Sequence, residues 1–312
     1  MPHQDHDRIA IIGAGHVGST TAFALMLRAL VREIVLIDSN TALAEAEAID
    51  ISDANALARP ARIWAGDYGD AATARLAIIT AGAATQGSES RLSIAGRSAA
   101  IVRDCVDALM AAGFDGILIV ASNPVDVMAK VAFSQSGLSA NRVIGTGTLL
   151  DSSRLRQALA ARFNVASGAI DAIVIGEHGD SEVAAFSAVR VGGLPLDRFA
   201  TDGGENVGVL ADLVRTAAYR IIEGKGYTSF GVATAIVRIC EAILRDERTC
   251  LPVSTLLTGQ FGLSDVYLSL PCILGAGGIE RVLLPDLTSD EIAKLCLSAK
   301  VIGRAHPSEI SG

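Results

Sequence analysis

Short apolar runs recur through the first half of the chain, each bounded by polar turns. Residues 9–12 (IAII), 34–37 (IVLI), 76–80 (LAIIT) and 117–120 (ILIV) are continuously apolar rather than alternating, as expected of strands covered on both faces. Longer stretches with apolar positions at helical spacing lie between them, among them 19–30 and 93–112. Strand, helix, strand at this pacing predicts an α/β fold on a doubly wound parallel sheet. Right-handed crossovers would place helices on both of its faces.

From about residue 146 the pattern changes to long helices mixed with short strands. Helices are predicted over 150–162, 210–223, 229–245 and 289–303, and strands over 172–175, 253–257 and 266–270, the last two around a turn at 259–262. Ser289 is the expected N-cap of the final helix, with Asp290 and Glu291 at its positive end. The change divides the chain into a dinucleotide-binding domain, 1–145, and an α+β substrate domain, 146–312, with the site between them. The apolar helices 210–223 and 229–245 are candidates for a subunit interface.

Composition narrows the class. A length of 312 residues, half of them apolar, is enough for about two domains with full cores. The net charge of −8 argues against a nucleic-acid binder, which carries a basic face. No run of eighteen apolar residues occurs, so no membrane span is expected. Residues 1–8 lack the basic start and apolar stretch of a signal peptide. The five cysteines are scattered, with no Cys-x-x-Cys pair. That reads as a reduced, cytoplasmic protein with neither disulfide frame nor metal site.

The first run leads into Gly13-Ala-Gly15-His16-Val17-Gly18. In such a strand–loop–helix, the first glycine permits the tight turn, the second lets backbone approach a pyrophosphate, and the third lets helix and strand pack closely. The helix start offers free N–H groups to the phosphates. His16 and Val17 fall inside the loop and are counted with its cofactor-binding residues, His16 facing solvent or phosphate. Asp38 ends the next strand, twenty residues after Gly18. A carboxylate there accepts hydrogen bonds from ribose hydroxyls and repels a 2′-phosphate, and Ser39 and Asn40 supply no cation for one. NAD is therefore expected over NADP.

Four further segments carry candidate chemistry. Gly176-Glu-His178-Gly-Asp-Ser181 follows the strand at 172–175, placing a histidine at a strand end. Leu149-Leu-Asp151-Ser-Ser-Arg154 opens a helix with a carboxylate and a guanidinium on one face. Ala81-Gly82-Ala83 begins a polar loop running through Thr85, Gln86 and Ser88 to Arg91, and Ser122-Asn123-Pro124-Val-Asp126 follows the strand at 117–120.

In this order, from about Ile9 to Ile302, the segments resemble those of the lactate/malate dehydrogenase family. Lys225-Gly-Tyr-Thr228-Ser-Phe looks like its lactate branch, in which a threonine lines the substrate pocket. The resemblance implies a Rossmann-type cofactor domain, NAD, a small 2-oxo or 2-hydroxy acid as substrate, and a homodimer or homotetramer. It makes His178 the proton donor and acceptor, Asp151 the group that orients it, and Arg154 the two-pronged clamp on the substrate carboxylate. Arg91, on a closing loop, polarises the carbonyl. Asn123 bonds the reacting oxygen or the nicotinamide ribose, and Ala81, Gly82 and Ala83 line the cofactor. The roles are chemically coherent. An imidazolium can give the proton a reduced carbonyl needs, and a planar guanidinium matches a carboxylate in two bonds.

The closing loop departs from the family pattern. Aligned on Arg91, the specificity position is Thr85, where lactate dehydrogenases carry Gln and malate dehydrogenases Arg. Gln86 stands where Lys is usual, and Gly87-Ser88 replace Pro-Gly. Neither Thr85 nor Gln86 could pair a second substrate carboxylate, which disfavours malate. Either the shorter Thr85 leaves room for side chains larger than a methyl, or the loop shifts by one residue and Gln86 takes the usual place. Members activated by fructose 1,6-bisphosphate use an Arg and a His on its phosphates. Arg156 matches the first, but Asp171 stands at the second and would repel a phosphate, so no such activation is expected. A short-chain dehydrogenase is excluded because no tyrosine begins a Tyr-x-x-x-Lys. An idle NAD-binding protein fits poorly with His178, Asp151, Arg154 and Arg91 all present.

Overall fold

The computed structural model describes residues 8–83, 91–199 and 207–304, with the backbone alone for 91–94 and 207. The first half runs β1 (Arg8–Ile12), α1 (His16–Leu27), β2 (Glu33–Ile37), α2 (Thr41–Asn55), β3 (Arg62–Ala65), α3 (Tyr68–Ala71), β4 (Leu76–Ile79), α4 (Arg91–Ala111), β5 (Ile117–Val120), α5 (Val125–Ser136) and β6 (Val143–Gly145). These six strands are parallel, in the spatial order β3-β2-β1-β4-β5-β6. The order reverses between β1 and β4, which opens a crevice at the strands' carboxyl ends.

Alternate residues of each strand enter different cores. Ile9, Ile11, Ile34, Leu36, Ile78 and Ile119 pack on one face, with α1 and α2. Ala10, Ile12, Val35, Ile79, Leu118 and Val120 pack on the other, with α4 and α5. Both faces are dry, so the strands have no polar side to show. The sequence pattern missed two strands. β3 has only four residues, part exposed at the sheet edge, and β6 has three, too short a run to stand out from its surroundings.

The second half follows with α6 (Leu149–Phe163), β7 (Ile170–Asp171), β8 (Val174–Ile175), β9 (Val183–Ala184), β10 (Arg190–Val191), β11 (Leu194–Pro195), α7 (Leu196–Phe199), α8 (Val207–Lys225), α9 (Phe230–Leu244), β12 (Thr249–Thr258), β13 (Ser264–Gly275), β14 (Gly278–Val282) and α10 (Ser289–Arg304). β12, β13 and β14 form an antiparallel meander that joins β6 through Ser254 opposite Gly145. One nine-stranded sheet thus spans both halves.

Two expectations need correction. The last helix is capped by Thr288, not Ser289. The Thr288 hydroxyl accepts the Glu291 N–H at 3.2 Å, and the Glu291 carboxylate accepts the Thr288 N–H at 2.9 Å, a reciprocal capping box,. Burial disfavours the Glu291 charge, but hydrogen bonds from Ser187 and Thr288 outweigh it and lower the pKa. Nor does α9 offer a broad interface. Ala233, Ile236, Val237, Ile239, Cys240 and Ile243 are buried within the chain, and the helix packs on α1. Apart from Phe230 at the start of α9, the exposed large apolar positions of the two helices are on α8, including Val209, Leu213 and Ile222.

Candidate active site

Gly13 follows β1 at φ +107°, a conformation that favours glycine,. A Cβ at Gly18 would sit 1.8 Å from the Gly13 carbonyl oxygen, so helix and strand meet too closely for any side chain there. Gly15 has open space where a Cβ would stand, and it begins α1 without a side-chain cap. The first amides of α1 are therefore left for an anion. Asp38 is held by the N–H groups of Ala14 at 2.7 Å and Asn40 at 2.8 Å. It lines a cavity of about 330 Å³ together with Glu45, Asp67 and Asp70. Those carboxylates suit ribose hydroxyls and oppose a phosphate, so these residues fit NAD.

The second arm of the crevice is the segment after β4. The Ala81 N–H bonds the Ile12 carbonyl at 2.9 Å, and the Ala83 N–H bonds the Ser98 hydroxyl at 3.2 Å. Ala81, Gly82 and Ala83 therefore lie beside the glycine turn. His16 and Val17 belong to the first turn of α1 rather than to a loop. The His16 imidazole is exposed and stacks on Tyr227 with centroids 3.9 Å apart. That contact sets the Thr228 turn, between α8 and α9, against the nucleotide loop.

Asp151 lies in the first turn of α6. One carboxylate oxygen bonds His178 Nδ1 at 2.5 Å, and the other accepts Arg154 Nη1 at 2.9 Å. Imidazole and guanidinium thus converge on one buried carboxylate. Burial works against the imidazolium, but Asp151 outweighs it, aided by Asp126 and Glu182, and the His178 pKa rises to about 9. Burial likewise opposes the Asp151 charge, yet His178 and Arg154 hold its pKa below the usual carboxylate range. Glu182 moves the other way, to about 8, through burial and the nearby Asp151 charge.

Three consecutive amides hold the His178 loop, each by a different element. The Gly176 N–H bonds the Ser269 carbonyl on β13 at 2.9 Å. The Glu177 N–H bonds the Ser298 hydroxyl on α10 at 2.7 Å, and the His178 N–H bonds Asp126 Oδ2 on α5 at 2.8 Å. Asn123 stands exposed in the turn just before, at a cis bond to Pro124. The structure thus brings together His178, Asp151 and Arg154, and ties the Asn123 turn to their loop. Thr85 and Gln86 lie outside the described residues, and of Arg91, the first residue of α4, only the backbone is described.

Sequence reasoning quoted Asp126 in its motif but gave it no role, and it passed over Ser254, Ser269 and Ser298. Each acts through a partner distant in sequence. The one available signal was a carboxylate in the apolar first turn of the helix, between Val125 and Val127.

The family description "lactate/malate dehydrogenase, NAD binding domain" matches residues 7–145, and "lactate/malate dehydrogenase, alpha/beta C-terminal domain" matches 148–304. An L-lactate dehydrogenase of Priestia megaterium is 43% identical over 299 residues, covering 95% of this chain and 94% of its own length. One from Clostridium botulinum (strain 657 / Type Ba4) is 41% identical over 302 residues, with coverage of 95% and 94%. Among solved structures, the ligand-bound minor L-lactate dehydrogenase of Enterococcus mundtii superposes with a TM-score of 0.93 at 38% identity, covering 96% of each chain. MGS-M5, a lactate dehydrogenase from a Medee basin deep-sea metagenome library, gives 0.94 at 37% identity, covering 98% of this chain and 99% of its own. Agreement in sequence, fold and domain order over nearly the full length shows that this chain belongs to the lactate/malate dehydrogenase family.

Proposed function

We propose that the protein is an NAD-dependent L-lactate dehydrogenase that interconverts pyruvate and L-lactate. The observation that carries the reading is the shared carboxylate of Asp151, which holds an acid–base imidazole and a substrate-binding guanidinium side by side at the crevice. Bound NADH supplies the hydride. His178 gives its Nε2 proton to the carbonyl oxygen, and Asp151 keeps the imidazolium charged and oriented. Arg154 has donors beyond the one spent on Asp151, and these bind the substrate carboxylate. Arg91, whose backbone opens α4, polarises the carbonyl in this reading. Asn123 bonds the same oxygen or the nicotinamide ribose. Thr228 bounds the pocket, with Thr85 and Gln86 setting the size of side chain it admits.

The nucleotide would be held by Gly13, Gly15, His16, Val17 and Gly18 at the helix start, by Asp38 on the ribose, and by Ala81, Gly82 and Ala83 along the crevice. The division into cofactor and substrate halves falls at about 145/146. We read the protein as cytoplasmic and homo-oligomeric, a dimer or tetramer. The exposed apolar positions of α8 support the assembly. Among the described residues no helix is long and apolar enough to cross a membrane.

NADH oxidation with pyruvate, oxaloacetate, 2-oxoisocaproate and phenylpyruvate tests the assignment. The expected result is the highest kcat/KM with pyruvate, and a fall of ~10²–10⁴-fold in His178→Asn from lost acid–base help. Preference for oxaloacetate, or silence with every 2-oxo acid, would overturn it. A second reading, a dehydrogenase for larger 2-hydroxy acids, is favoured by the short Thr85, and a preference for 2-oxoisocaproate or phenylpyruvate would establish it.

A further inference from the structure

We propose that His16 is a positioning residue for the substrate pocket: its ring, stacked on Tyr227, holds the Thr228 turn against the nucleotide loop. This rests on the functional reading above, in which Thr228 bounds the pocket, and deepens it. His16 opens α1, so its backbone stands at the helix start that meets the phosphates while its side chain reaches to the other half of the chain. The imidazole lies on the Tyr227 ring with centroids 3.9 Å apart and planes 14° from parallel. Lys225 Nζ stands 4.3 Å from the centroid of the same tyrosine ring and 4.4 Å from that of Phe230. A ring stacked so closely leaves no room for the ammonium on its own side, so Lys225 takes the opposite face. The ammonium is attracted to both rings and closes the turn 226–229 on itself. His16 then docks the closed turn on α1.

The two ends of the turn are fixed by the C-terminal half. Gly226 ends α8 at φ +84°, with its N–H bonded to the Ile222 carbonyl at 2.8 Å. Ser229 is buried, and its carbonyl accepts the Ala233 N–H at 2.8 Å as α9 begins. A Cβ at Gly231 would stand 3.1 Å from Leu150 Cδ1, so the start of α9 lies close against the residue that precedes Asp151 on α6. α9 packs along α1 beyond the turn; at the turn itself the His16–Tyr227 stack makes the link. His16 is exposed and Tyr227 is 38% exposed, so the pair is held by the ring contact rather than by a surrounding core. Removing either ring therefore breaks the link without opening a buried cavity. Thr228 lies between Tyr227 and the buried Ser229, and a loosened Tyr227 lets that wall of the pocket move, weakening substrate and transition state alike.

His16→Ala in the full-length protein removes the stack and leaves the backbone amide at the helix start. KM for pyruvate at saturating NADH should rise about two- to tenfold, the size of one lost aromatic pair. kcat should stay within about twofold, the pattern of a weakened pocket wall. His16→Phe keeps a flat ring and should restore KM. Tyr227→Leu should reproduce the defect, and the double variant should be no worse than the poorer single one, since the two rings act as a unit. Hydrogen exchange of the amides 226–230, followed without nucleotide, should speed up in His16→Ala and return in His16→Phe. Unchanged exchange, faster exchange with an unchanged KM, or a defect confined to NADH affinity by fluorescence overturns the proposal. A wild type inactive with every 2-oxo acid would refute the functional reading, while the exchange rates would still decide whether the stack holds the turn.

Discussion

With its pKa near 9, His178 holds a proton across the physiological range, which is the form that reduction of a carbonyl requires. The raised value has a definite sign for kinetics. For reduction, kcat/KM should stay level through neutrality and fall about tenfold per unit above about pH 9, whereas oxidation of the hydroxy acid, which needs the neutral ring, should rise over the same interval. A pH profile in both directions checks this, and a reduction limb near the unperturbed histidine value of about 6.5 would contradict it. The stability contribution runs the same way. It is fully present below the unfolded pKa and is lost as pH rises through the folded one. His178, Asp151 and Arg154 were legible as candidates in the sequence because short motifs carry them in the order of the lactate/malate dehydrogenase family. Asp126 was not, because its role depends on an amide 52 positions away.

At the scale of elements, the buried strands were legible because both of their faces pack against helices, leaving unbroken apolar runs. Helix ends were less so. Ser289 looked like a cap by type, but side-chain reach decided for Thr288, whose hydroxyl meets the Glu291 amide. Thr288→Ala removes that bond and half of the capping box. It should destabilise the protein by about 1 kcal/mol, read as a lower urea midpoint with an unchanged denaturant slope. The effect should extend to the site, since α10 carries Ser298, which anchors the Glu177 amide. Start positions also slipped at α1, which begins at His16, because the glycine-rich stretch that signals a loop is itself wound into the first turn.

At the scale of the molecule, the crevice is assembled by the strand-order reversal between β1 and β4, and its walls come from both halves of one sheet. Arg156, the position that could meet an activating sugar bisphosphate, donates to the Ala172 carbonyl at 3.0 Å. Burial lowers its pKa, and the Asp171 charge opposes this only in part. Adding fructose 1,6-bisphosphate should leave the pyruvate half-saturation unchanged, and a clear drop in steady-state assays would show a phosphate site after all.

Residue order along the chain was enough to mark out the parallel α/β half, the NAD loop with Asp38, and, through the family resemblance, His178, Asp151 and Arg154 as candidates for acid, orienting carboxylate and clamp. All of these rest on local periodicity or on motifs a few residues long. Folding alone assigned the meander to the same sheet, turned the His16 ring onto Tyr227, and set a buried carboxylate behind His178. Those arrangements depend on long-range pairing and on the dielectric of a closed interior, neither of which is written in neighbouring residues.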